Sequence, residues 1–266
     1  MFKKIGFIGA GNMGSAVAKA ISRCRTQEEF FVSDPDEKKA ENLAEQLSGS
    51  VSSNKQIAEA CDLIFLAVKP HIVPTVLAEI RGTLDGREDR FVLCSMATAV
   101  TMEKLRELCG KTVSVIRIMP NTPIEIGHGV TEYDTLGVFE SEIENFKALM
   151  AKAGVLDELG EKLMDAASTV SGCGPAFAFM FAEALADGGV ACGLPRDKAL
   201  LYAAGMLEGA AALLLESGKH PGAQKDAVCS PGGTTIQGVR VLEERGFRGT
   251  VMDAVITAYE KTLSMQ

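Results

Sequence analysis

Residues 3–14, KKIGFIGAGNMG, run from a short apolar strand straight into a glycine-rich turn. Gly9, Gly11 and Gly14 are spaced G-x-G-x-x-G, and Met13, Val17, Ala20 and Ile21 then recur at helical spacing over 13–23. Between a strand and a helix the first glycine permits a tight turn. The second lets backbone approach a pyrophosphate, and the third lets helix and sheet pack closely. Asp34 stands twenty positions after Gly14, where such motifs place a carboxylate on a ribose hydroxyl. The stretch predicts a dinucleotide-binding βαβ unit.

Outward from that unit, strand and helix signals alternate. FFVSD (30–34), a short strand near 50–52, CDLIFLAV (61–68), FVLCSMA (91–97) and TVSVIRIMP (112–120) read as strands. Charged amphipathic helices are predicted over 36–47 and 101–109. Strands this apolar, alternating with helices, imply a parallel sheet covered on both faces. From about residue 161 the β-branched runs end, and helical periodicity is predicted over 161–170, 174–191, 195–217 and 231–264. The boundary falls between 155 and 162, giving domains 1–158 and 159–266.

Global figures narrow the function. Hydrophobic residues make up 47% of the 266 and charged residues 23%, with a net charge of −8. That balance supplies a core but no positive field for nucleic acid or an anionic membrane. Seven cysteines without C-x-x-C spacing point to free thiols in a reducing compartment. KKIGFIGAG begins too early to leave room for a signal peptide. No apolar run is expected to approach the ~18 residues of a membrane span, so the expectation is a cytoplasmic protein. The three histidines, His71, His128 and His220, form no ligand pair, and no metal is expected.

Oxidation of an alcohol needs a base for the hydroxyl proton, commonly His or Lys. The expected central helix, GPAFAFMFAEALADGG (174–189), carries neither. Its acids Glu183 and Asp187 read better as a helix–helix polar contact. Imine reduction asks for less, since the nitrogen needs only a hydrogen-bonding partner and a proton. SPGGTTI (230–236) suits that chemistry: helix N-terminal N–H groups hold an anion, and glycines let it come close. Read by itself, the same stretch is also an over-built helix cap.

Together these segments resemble the pyrroline-5-carboxylate reductase family along essentially the whole chain. The resemblance rests on IGFIGAGNMG (5–14), LAVKPHI (66–72), RIMPNTP (117–123), SGCGPAF (171–177), ALADGGVACGLPR (184–196) and HPGAQKDAVCSPGGTTIQGVRVLEERGFR (220–248). It implies a Rossmann-like α/β domain followed by an all-α dimerisation domain, and reduction of 1-pyrroline-5-carboxylate to L-proline with NADPH or NADH. It implies a homodimer through the helical domain, with a higher oligomer of dimers left open. It puts the substrate site between the nicotinamide and the helical domain. By the same resemblance Gly9, Ala10, Gly11, Asn12 and Met13 contact the pyrophosphate, with Gly14 completing the loop. Ser33 and Asn54 lie on the adenosine side, next to the Asp34 that the motif spacing, not the resemblance, puts near a ribose hydroxyl. Val68, Lys69 and Ala97 line the cofactor, and Asn121 lies near the nicotinamide and substrate. Gly233, Thr234 and Thr235 hold the carboxylate, the Thr235 hydroxyl meeting the ring nitrogen.

Three positions depart from the family pattern. Asp34 stands where many members carry a neutral or cation-friendly residue. Cys173 replaces the usual serine, and Met96-Ala97-Thr98 differs from an Ala-Ala-Gly-like stretch. The choice between NADPH and NADH stays open: Asp34 opposes a 2′-phosphate, Lys55 favours one, and Asp34-Pro35-Asp36 also reads as a cap for the following helix. Two other readings compete with this one. A 3-hydroxyacid dehydrogenase predicts a lysine on the central helix, and a non-catalytic dinucleotide module leaves Gly232 to Thr235 unexplained.

Overall fold

The computed structural model describes residues 2–24, 27–110 and 112–265. Eight strands form one sheet: β1 Lys4–Ile8, β2 Glu29–Ser33, β3 Ser50–Val51, β4 Leu63–Leu66, β5 Val92–Ser95, β6 Ser114–Pro120, β7 Gly129–Leu136 and β8 Gly154–Glu158. Their order is β3-β2-β1-β4-β5-β6-β7-β8. The first six run parallel, β7 runs antiparallel to β6, and β8 follows β7 in parallel. The order reverses between β2-β1 and β4, the switch point beside which open α/β sheets bind ligands.

Alternation along the strands fills both faces. Phe7 and Phe65, paired on β1 and β4, stack with centroids 4.5 Å apart. Their face is covered by α1 Asn12–Ser22, α2 Glu37–Leu47 and α6 Glu140–Met150. Ile8, Ile64 and Leu66 point the other way, under α3 Asn54–Ala60, α4 Val73–Asp85 and α5 Met102–Cys109. Each fully buried side chain of this size contributes about 1.5–3 kcal/mol, so the sheet is fixed in register by its own apolar pattern.

Beyond β8 lie α7 Glu161–Ser171, α8 Gly174–Ala191, α9 Arg196–Ser217, α10 Pro221–Ala227, α11 Thr234–Glu244 and α12 Phe247–Leu263. One compact unit comprises the chain up to Cys173 with the segment from Ala258 onward; the other is Gly174–Thr257. The sheet unit therefore extends one helix past the expected division at 158/159. Arg117, a fully buried charge on β6, ties that helix to the sheet. It donates to Glu161 Oε1 at 3.2 Å and Asp165 Oδ1 at 2.7 Å, both on α7.

Several expectations are revised. The run predicted over 231–264 is two helices, broken at Gly246, whose φ of +74° no helix accommodates. The apolar-run estimate is also corrected. The helical stretch Glu161–Ala191 and the 22-residue α9 are long and apolar enough, by length and composition alone, to cross a membrane. Scattered acids such as Glu183 and Glu208 interrupt the apolar runs without lowering the average below that threshold. Asp187 pairs with Arg196 at the start of α9, the α8–α9 polar contact expected of it.

In the unit Gly174–Thr257 the buried residues are three alanines, Ala186, Ala199 and Ala203, on the α8–α9 seam. Met180 is 70% exposed and Leu215 79%.

Candidate functional site

The glycine turn is built as its spacing predicts. Gly9 has φ +107°, and a Cβ there would lie 2.5 Å from the Ala67 carbonyl oxygen. Its N–H donates to Ser33 O at 2.7 Å, binding the turn to the end of β2. A Cβ on Gly14 would meet Gly9 O at 2.6 Å, so α1 can lie this close only without a side chain. Gly11 differs from both: nothing stands within 4 Å of where its Cβ would be. It caps α1 with extended backbone and no side-chain hydrogen bond, and the first turn contains no acid. Bare amides at a positive helix end, facing open space, make an anion site. These residues fit a dinucleotide pyrophosphate.

Asp34 is tied to that turn. Its Oδ2 accepts the Ala10 N–H at 2.7 Å and its Oδ1 accepts the Asp36 N–H at 2.9 Å. The cap of α2 is Asp36, which accepts from Lys39 N. Of the two readings of Asp34-Pro35-Asp36, capping therefore falls to Asp36, leaving Asp34 beside the glycine turn.

Ser33, Gly9, Val68, Ala97 and Asn121 follow or end β2, β1, β4, β5 and β6, neighbouring strands in the sheet. They line its carboxyl edge, where the fold places ligands. Lys69 is exposed, and Ala97 is buried with its N–H donated to Ser95 Oγ at 3.3 Å. Asn54 opens α3 and donates its amide to Glu79 Oε2 at 2.8 Å, a pairing with α4. Asn121 is engaged at both ends. Its Nδ2 donates to Ser171 O, and its Oδ1 accepts the Val130 N–H, each at 2.9 Å. It joins the end of β6 to β7 and to the last turn of α7. An open cleft of ≈ 270 Å³ between α1 and α2 shares only Ala10 and Asn12 with these residues.

In the other unit, the entrance to α11 is held open. Gly232 has φ +68° with no atom near its Cβ position. At Gly233, the cap of α11, a Cβ would fall 2.3 Å from Ser230 Oγ, and its N–H donates to Ser230 O at 3.0 Å. Among the described residues, neither the N–H groups nor the hydroxyls of Thr234 and Thr235 have a hydrogen-bond partner, and both residues are exposed. No side chain caps the helix and no acid stands in its first turn. The over-built cap thus makes no cap bond. It presents free amides and two hydroxyls to whatever approaches.

Two buried thiols stay protonated at neutral pH. Burial pushes the Cys61 thiol up to about 12 and raises Cys94 well above its ordinary value. Among the described residues no cluster of three His, Cys, Asp or Glu side chains can hold a metal ion. Sequence reasoning missed Arg117 and its partners on α7. The available signal was one arginine inside the otherwise apolar run VSVIRIMP.

Comparison with known proteins matches both halves. Residues 161–265 match the family described as pyrroline-5-carboxylate reductase dimerisation, and residues 4–97 match one described as NADP oxidoreductase, coenzyme F420-dependent. The pyrroline-5-carboxylate reductase of Escherichia coli (strain K12) is 40% identical over 266 residues, covering 98% of each chain. That of Pisum sativum is 38% identical over 261 residues, covering 97% of this chain and 94% of its own. A crystal structure of Plasmodium falciparum pyrroline carboxylate reductase with NADP bound superimposes with a TM-score of 0.89 at 34% identity. The match covers 99% of this chain and 98% of that one.

Proposed function

The chain belongs to the pyrroline-5-carboxylate reductase family, and from that membership we propose how its own residues serve the reduction of 1-pyrroline-5-carboxylate to L-proline. The reductant is a nicotinamide dinucleotide, NADPH or NADH, which when bound supplies a hydride to the imine carbon.

Gly9 to Gly14 hold the pyrophosphate on the open amides of α1, with Ser33, Asp34 and Asn54 toward the adenosine and Val68, Lys69 and Ala97 toward the nicotinamide. Asn121 acts through position, keeping the end of β6 fixed against β7 and α7. The substrate carboxylate takes the N–H groups of Thr234 and Thr235, and Gly232 and Gly233 keep side chains out of its path. The Thr235 hydroxyl donates to the imine nitrogen and orients the ring. The proton needed at nitrogen comes from water, which explains why α8 needs neither lysine nor histidine. The observation that carries this reading is the α11 entrance, where the cap is glycine and the amides and hydroxyls are free.

The active form is a homodimer through the helical unit. Phe179, Met180, Leu201, Tyr202 and Met252 are exposed there, more apolar surface than a soluble monomer leaves open. None of the seven cysteines is joined in a disulfide, which suits a reducing cytoplasm. The direct test is loss of dihydronicotinamide absorbance when purified protein meets 1-pyrroline-5-carboxylate. Cofactor binding without turnover would leave a dinucleotide-binding module with another substrate.

A further inference from the structure

We infer that this enzyme selects NADH over NADPH, and that Asp34 makes the selection. The inference rests on the dinucleotide reading above and concerns the 2′ position of the adenosine ribose.

The Asp34 carboxylate is fixed in place before any ligand arrives. Two backbone donors, Ala10 N and Asp36 N, each hold one of its oxygens. An ionised carboxylate has about four acceptor positions, so two remain for the vicinal hydroxyls of an unphosphorylated ribose. The donor from Ala10 belongs to the pyrophosphate turn itself, which ties the charge to the cofactor rather than to remote surface.

A 2′-phosphate would meet this fixed negative charge with little to offset it. Asp36 and Glu37 add two further carboxylates beside it. Lys39 is turned to Asp36 at 3.4 Å. The first amides of α2, the usual refuge for a phosphate, are partly used: Lys39 N and Ala40 N both donate to Asp36. Lys38 and Lys55 stand on exposed first turns, where water and salt screen them. The amide of Asn54 is given to Glu79.

The test is direct binding, without substrate. Full-length protein is titrated with NADH and separately with NADPH, following the rise in dihydronicotinamide fluorescence, for the wild type and for Asp34→Asn and Asp34→Ser. Asn keeps an acceptor within reach of the Ala10 N–H and removes the charge; Ser removes the charge and shortens the side chain. NADH should bind at least about tenfold tighter than NADPH in the wild type. Both variants should narrow that ratio mainly by gaining NADPH affinity. NADPH binding as tightly as NADH in the wild type would overturn the inference, as would an unchanged ratio in Asp34→Asn. Equal losses for both cofactors in Asp34→Asn would reduce Asp34 to a strut for the turn and overturn it too. Failure of the wild type to bind either cofactor would sink the dinucleotide reading itself, and this inference with it.

Discussion

Arg117 Nη2 lies 2.7 Å from Asp165 Oδ1, joining the middle of β6 to the middle of α7 through a charge that is 1% exposed. Its Nη1 reaches Glu161, whose carboxylate also accepts the Met102 N–H at 2.7 Å. Arg117→Met should cost about 3–5 kcal/mol, because it removes the cation that faces Glu161 and the buried Asp165 carboxylate. Urea unfolding measures it, and the double variant Arg117→Met/Asp165→Leu should recover part of the loss. A cost below about 1 kcal/mol would show that the pair is solvated in solution.

Two glycines in one turn should respond differently. Gly9→Ala forces a side chain into φ +107° and against Ala67 O, which should lower stability by at least about 1–3 kcal/mol. Gly11→Ala meets no protein atom, so its melting temperature should stay near wild type while dinucleotide affinity falls. The reverse pattern in thermal melts and cofactor titrations would mean that the turn approaches its ligand elsewhere.

Thr235→Val keeps shape and removes the hydroxyl. Turnover should fall by about tenfold or more, with dinucleotide affinity nearly unchanged, and Thr235→Ser should restore most of it. Steady-state kinetics with 1-pyrroline-5-carboxylate decide the matter; undiminished kcat in the valine variant removes Thr235 from the mechanism.

Alkaline pH should unfold the sheet unit earlier than its charge alone suggests. Burial and the hydrogen bond to Glu158 push the Tyr133 hydroxyl up to about 12, and burial pushes Cys61 to about 12. Both folded values exceed the ordinary values of 10.0 and 9.0, so the native state retains protons that the unfolded chain releases. Their stabilisation is complete below pH 9 and is lost as pH rises toward 12. Chemical denaturation at pH 8, 10 and 11 should show a steady decline, shallower in Tyr133→Phe. A flat profile would place both groups in contact with water.

Met180→Glu puts a charge on the exposed apolar surface of α8. Sedimentation should show weaker self-association than wild type, with the sheet unit still binding dinucleotide. A wild-type protein that sediments as a 28.2 kDa monomer would refute the homodimer.

The readable parts of this chain were those in which one requirement dominates. Gly9, Gly11 and Gly14 have backbone roles that no other residue fills, and β4 and β5 are apolar because both their faces are covered. β7 was missed because Thr131, Glu132 and Asp134 interrupt its apolar pattern. Asp134 is there to accept the Glu161 N–H at the start of α7, a need set by tertiary structure. The same cause hid α7's attachment to the sheet, since its helical period is ordinary and its decisive partner is one distant arginine. At the site, residue types were legible and their commitments were not. Nothing local to Asn121 announces that both ends of its amide are used, and nothing local to Asp34 announces the bond to Ala10.

The three-alanine core of the helical unit bears on how the protein comes into being. In the proposed homodimer, a unit that buries so little would complete its packing only on meeting a second copy. Folding is then second order in its last step. The melting temperature should climb with the logarithm of protein concentration, and freshly made chains should pass through a stage in which the sheet unit is native and the helices are not. At low expression, the abundance of finished enzyme would be governed by how often two chains meet.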